Sequence, residues 1–134
     1  MDSPAGYSGT PQATKLGLKP GVTWDLVDAP DEWAFETPPD PALRRDGHDV
    51  DVVVAFVRTS SEVRRTIERQ ERRIFPSGAL WVAWPRKAAG HVSDVDEGLI
   101  RDTALLRGLV DVKVAAIDTD WSGLKIVWRR ENRR

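Results

Sequence analysis

The chain has 134 residues, 40% of them apolar and 31% charged, with a net charge of −1 and no cysteine. That length fits one domain with enough buried surface to fold without staples, and the composition is that of a globular chain. The lack of thiols excludes disulfides and cysteine metal sites and accords with a reducing compartment, so a cytoplasmic location is expected. The opening Met1-Asp2-Ser3-Pro4 lacks the basic-then-apolar pattern of a secretory signal, and no membrane span is expected, since the longest apolar run, Val52 to Val57, is far too short. Charge is segregated: residues 1–62 carry 11 acids and 5 bases, residues 63–134 carry 10 acids and 15 bases. The basic half suits phosphate or an acidic partner, or simply a solvated helix face and a charged tail. Nucleic acid is disfavoured as the main ligand because the chain as a whole is not basic.

Residues 1–9, MDSPAGYSG, are small and polar and predict a flexible start. Residues 10–130 form the expected single domain, and 131–134 a basic tail. Thr10-Pro11 offers a capped helix start, with Gly17 as the stop after Leu16. Pro20-Gly21 predicts a turn, and Val22 to Val27 the first strand. Four prolines between Pro30 and Pro41 forbid a long helix or a central strand; a helical turn around Asp31–Phe35 would let Trp33 and Phe35 cover the core. Val50 to Val57 is the second strand, and its continuous apolar run implies burial on both faces in a parallel sheet. Ser60 and Ser61 can cap a helix running from Glu62 to about Phe75, with Val63, Ile67 and Ile74 on its inner side. Ala79 to Trp84 is the third strand, stopped by Pro85. A helix from Asp96 to Leu106 follows, with Leu99, Ile100, Thr103 and Leu106 facing in and Gly108 closing it. Val110 to Ile117 and Leu124 to Trp128 are the last strands. The six residues between them predict antiparallel pairing. The fold class is α/β: one Rossmann-like domain with a five-stranded, mostly parallel sheet, an antiparallel last strand, and helices on both faces.

The order of elements resembles a class I methyltransferase fold lacking its second and third strands. "LGLKPGVTWDLVDAP" sits where that fold opens, "DVDVVVAFV" and "SGALWVAW" resemble its fourth and fifth strands, and "GLVDVKVAAIDTDWSGLKIVWRR" its closing hairpin. Over nearly the whole chain, "GYSGTPQATKLGLKPG", "GALWVAWPRKAAG" and "LVDVKVAAIDTDWSGLK" also resemble a family of small bacterial proteins of unknown function from high-GC organisms, which implies no activity. The methyltransferase resemblance implies S-adenosylmethionine held by a glycine-rich turn after the first strand, where only glycine lets backbone and ligand approach closely. Here Ala29-Pro30 fills that turn, and proline also removes a donor. No cofactor is therefore expected.

In open parallel sheets ligands bind beyond the carboxyl ends of the strands. That rule gathers Asp28, Arg58, Ser60, Trp84, Lys87, Asp118, Trp121 and Ser122 as candidates for a ligand rim, suited to a small polar or anionic molecule. The N-terminus of the helix after Ser60 is a natural anion site on the same rim. Equally, Asp28 and Asp118 can cap turns and pair with Arg58 or Lys87. Trp24, Trp81 and Trp128 are expected in the core; Trp84 and Trp121 could stack on a ligand or pack on loops. His48 and His91 lack metal-ligand neighbours, and no nucleophile–base set can be named, so neither a metal nor a catalytic residue is assigned. Asp94, Asp96 and Glu97 sit where a helix begins and fit capping. Tyr7 to Pro11 has the composition of a lid or a phosphate acceptor. The expected function is a non-catalytic binding or adaptor module, its protein partner or second copy meeting the edge beside the first strand. The alternative is an enzyme or sensor for a small anionic metabolite at the rim, and the third option a divergent methyltransferase.

Overall fold

The computed structural model describes residues 9–134. The expected flexible start, and the lid or phosphate acceptor at Tyr7–Pro11, lie outside the described residues as far as Ser8. In chain order the elements are α1 (Gln12–Leu16), β1 (Trp24–Val27), β2 (Val52–Phe56), α2 (Ser60–Gln70), β3 (Ala79–Pro85), α3 (Glu97–Leu106), β4 (Leu109–Ala116) and β5 (Trp121–Trp128), with short 3-10 turns at Pro41–Leu43, Lys87–Ala89 and Arg130–Asn132. They form an α/β fold on a single five-stranded sheet of order β1-β2-β3-β5-β4. β1, β2 and β3 pair in parallel, and β5 pairs antiparallel with both β3 and β4. The sheet is thus mixed, with only β5 reversed, as the short final connection dictates. No helix among the described residues is long and apolar enough to cross a membrane.

Local chemistry sets the boundaries. Gly17 ends α1 in the left-handed conformation (φ 76°), returning its N–H to Thr14, and Pro11, not Thr10, is the residue before the first turn. α2 is preceded by Thr59 instead of starting at Glu62, because the Glu62 carboxylate reaches back to accept from Thr59 N (3.2 Å) and Arg58 N (2.5 Å). α2 stops at Gln70, short of Phe75, and an irregular turn continues to Gly78. A β-carbon on Gly78 would stand 2.2 Å from the Val50 carbonyl oxygen, so only glycine permits this return into β3. α3 begins at an Asp96 cap, whose carboxylate accepts from Leu99 N at 2.9 Å.

Two apolar layers sandwich the sheet. On one side Val53, Ala55, Val57, Leu80, Val82, Leu124 and Ile126 meet Val63 and Ile67 of α2 and Ile100 and Ala104 of α3. Leu106, expected to face in, is almost fully exposed, because α3 is turned so that Ala104 occupies the buried position. On the other side Val52, Val54, Phe56, Trp81 and Ala83 lie under Leu16 of α1 and under Leu18, Trp33 and Phe35. Residues 31–35 form no helix; Trp33 N donates to Pro30 O in a turn, yet both rings reach the core. The outer edge of β1 is not bare: Arg45 N donates to Trp24 O (2.8 Å) and the Arg44 guanidinium to Leu26 O (3.0 Å). A partner on that side would meet residues 40–45 before it met β1.

Candidate functional site

The carboxyl ends of β1, β2 and β3 and the β4–β5 turn come to one border of the sheet. A chain of edge-to-face aromatic rings supports it. Trp24 meets Phe35, Phe35 meets Trp33, Trp33 meets Phe56, and Phe56 meets Trp121, with centroids 4.9–5.6 Å apart. Trp33 crosses the border to donate its indole N–H to Asp118 Oδ2 at 2.7 Å, a contact spanning 85 residues of sequence. Asp118 Oδ1 accepts from Asp120 N and Trp121 N, both at 2.9 Å. One carboxylate therefore pins the β4–β5 turn to the loop after β1. Arg86 fastens the turn from the β3 side, its N–H donating to Asp120 O and its guanidinium to Thr119 O at 3.1 Å.

Beside this latch lies a groove of about 430 Å³ lined by Pro30, Glu32, Arg58, Pro85, His91, Asp120 and Trp121. The exposed Arg58 guanidinium stands over the Trp121 ring, 5.9 Å from its centroid. His91 Nε2 lies 2.9 Å from Asp120 Oδ1. A shallower hollow on the Trp33–Asp118 side shares Pro30, Glu32, Asp120 and Trp121 with it. The groove thus offers one cation over an indole, a histidine–carboxylate pair and a further acid, which suits recognition of a small mixed-charge group.

Of the rim residues expected from the sequence, Arg58 and Trp121 line this groove and Asp118 lines the adjoining hollow. The others stand apart from it. Asp28 is exposed just after β1 with φ 58°. Lys87 is exposed on the 3-10 turn after β3. Ser122 is a half-buried β5 residue between Trp84 and Ala116. Trp84 is buried in the layer under α2 and α3, since alternation along β3 sends it to the face opposite Phe56 and Trp121. Trp121 begins β5 instead of lying in the connecting turn.

The expected anion site at the start of α2 is filled by the chain itself. Asp94 accepts from Ser60 N (2.8 Å) and Ser60 Oγ (2.6 Å), and these two donors hold its carboxyl below the ordinary carboxylate range. Asp94 therefore caps α2, while Asp96 caps the helix that follows it in sequence. The turn after β1 keeps Ala29-Pro30, with no N–H at Pro30 to offer a phosphate.

Glu32, His91 and Asp120 were not singled out for this groove in the sequence. Each sits in irregular chain, where no periodicity marks a direction, and only the fold brings the Pro30–Ala34 loop beside His91. Pro30 and Pro85, both just past or at the ends of strands, were the available signal. No protein-family model matches the chain, and no curated protein matches it.

Proposed function

We propose that the chain is a cytoplasmic binding or adaptor module without chemistry of its own, on a Rossmann-like frame with helices on both faces and no glycine-rich cofactor loop. The parallel β1-β2-β3 block, its crossover through α2 and the reversed β5 support the frame. One observation carries the functional reading: three of the carboxylates at the carboxyl border are engaged in holding loops and helix starts. Asp118 accepts three hydrogen bonds, Asp94 two and Glu62 two. What remains presented outward is a recognition surface, Arg58 on Trp121 with His91 and Asp120 beside it. A protein partner offering an acidic side chain next to a flat apolar group would match it.

The Arg58 guanidinium also favours a second reading, a sensor or enzyme for a small anionic metabolite in the same groove. Capture from the native cell with the tagged full chain and with Arg58→Ala, beside thermal denaturation with candidate ligands, separates the two. Under the adaptor reading the wild type retains a partner in fixed stoichiometry, Arg58→Ala loses it, and millimolar S-adenosylmethionine or nucleotides leave Tm unchanged. A small anion that raises the wild-type Tm but not that of Arg58→Ala, with partner capture intact, supports the second reading instead. A rise of several degrees with S-adenosylmethionine overturns both.

A further inference from the structure

A second groove lies on the α1 side of the sheet, at the amino ends of β2 and β3, away from the border described above. It has a volume of about 420 Å³ and is lined by Leu16, Lys19 and Val22, by Lys125 and Val127 of β5, and by Asp51. Register places Lys125 between Trp81 of β3 and Lys113 of β4, so all three side chains share that face. Trp81 is fully buried under α1, its indole donating to Leu16 O at 3.2 Å, and the Lys113 ammonium stands 5.7 Å from the Trp81 ring centroid. Lys19 enters from the loop after α1. Two lysines therefore line a half-apolar groove, and Lys113 stands beside one of them on the same face of the sheet.

Among the described residues no carboxylate forms an ion pair with any of the three; the ion pairs lie elsewhere, on Asp25, Asp111, Asp120, Glu68, Glu71, Glu97 and Glu131. The acid lining the groove, Asp51, turns Oδ2 to Thr23 N and Thr23 Oγ at 3.0 Å. On α1, Lys15 is directed away to Ala116 O. Burial pushes the Lys125 ammonium below the usual lysine range, and the like charges of Lys113 and Lys19 push it further. Such clustering of unpaired cations costs folding free energy unless an anion joins them.

We propose that Lys19, Lys113 and Lys125 bind a small phosphate-bearing molecule, its phosphate among the three ammonium groups and its organic part against Leu16, Val22 and Val127. A phosphate dianion matches lysine as a cluster of point charges, without the planar fork that an arginine site would present. This site is independent of the Arg58 groove. Binding converts the free-state penalty on Lys125 into attraction, so its ammonium titrates higher in the complex.

Phenyl phosphate, which joins a phosphate to an apolar ring, is the probe, with inorganic phosphate and benzyl alcohol as its separate halves. Calorimetric titration of the full chain at pH 7 is expected to give one site for phenyl phosphate, weaker binding of inorganic phosphate and none of benzyl alcohol. Lys125→Met is expected to weaken phenyl phosphate binding about tenfold or more, the loss of one charge-assisted contact. Lys19→Met and Lys113→Met, at exposed positions that leave the fold intact, are expected to weaken it less, and Arg58→Ala not at all. In 13C-methylated protein one dimethyl-lysine resonance, absent from Lys125→Met, is expected to titrate below the rest and to move upward with ligand. The proposal is overturned if phenyl phosphate fails to bind at millimolar concentration, if the three lysine variants bind it as the wild type does, or if Arg58→Ala abolishes binding.

Discussion

Asp25 lies between two guanidinium groups. Its Oδ1 accepts from Arg44 Nε and Leu26 N at 2.9 Å, and its Oδ2 from the largely buried Arg73 at 2.8 Å. Burial alone would raise this carboxyl, but the hydrogen bonds from Arg73, Arg44 and Leu26 outweigh it and leave it below the ordinary range. A carboxyl lowered on folding contributes stability above its unfolded value of about 3.9, and the contribution is lost as pH falls through the folded value. Asp25→Asn is therefore expected to lower stability at pH 7 and to flatten the acid limb below about pH 4, read from urea midpoints between pH 7 and pH 2. Parallel curves for wild type and variant would remove Asp25 from the acid transition. At the border, Asp118→Ala removes acceptors from Trp33, Asp120 and Trp121 and is expected to cost about 2–3 kcal/mol, with a change in tryptophan fluorescence. Asp120→Ala touches the exposed His91 pair and a long, exposed contact from Thr119 Oγ1, and is expected to cost no more than about 0.5 kcal/mol. Neither Asp25 nor Asp118 declares its partner in the sequence, since Arg73 is 48 residues from one and Trp33 is 85 from the other.

Among the elements, β2 and β3 are plain in the sequence, because strands buried on both faces must be apolar throughout, and the hairpin of β4 and β5 is plain through its short connection. α2 was visible through Val63 and Ile67, and its end was not. The backbone leaves the helix after Gln70 so that Gly78 can pass against Val50 O, a constraint that belongs to the packing of two segments. Gly78→Ala is expected to lower the urea midpoint by an amount equal to at least about 2 kcal/mol, because the obstructing atom is backbone and cannot rotate away. Ile67→Ala, in the layer between α2 and the sheet, is expected to cost about 2–5 kcal/mol. Arg107 closes α3 onto the end of α2 by pairing with Glu71 and, at 3.1 Å, with Glu68. In the segment 31–45 the proline spacing forbids regular structure, and Trp33 and Phe35 reach the core as expected, though without the helical turn; that Arg44 and Arg45 cover the edge of β1 has no signal in the sequence.

For the molecule as a whole, both edges of the sheet are guarded. Residues 44 and 45 occupy β1, and β4 carries a register shift between Asp111 and Lys113 and a lysine within its exposed stretch. Bulges and charges of this kind oppose edge-to-edge pairing. Sedimentation is therefore expected to show a monomer near 15.0 kDa at micromolar concentration. A concentration-dependent dimer would point back to the edge beside β1 or to β4.

Apolar periodicity, glycine and proline placement and the shortness of the last connection determined the α/β class, the five strands and the reversal of β5, because those features act over a few residues at a time. The carboxyl rule for sheets also brought Arg58, Asp118 and Trp121 to one border. Tertiary structure alone decided which polar groups are consumed there: Asp94 on Ser60, Trp33 on Asp118, Arg44 and Arg45 on β1. It also decided that Lys19 and Lys125 share a groove, with Lys113 beside Lys125. Hydrogen bonds and charge pairs form between whichever groups the packed elements bring within a few ångströms, and that distance is set by the fold and not by spacing along the chain.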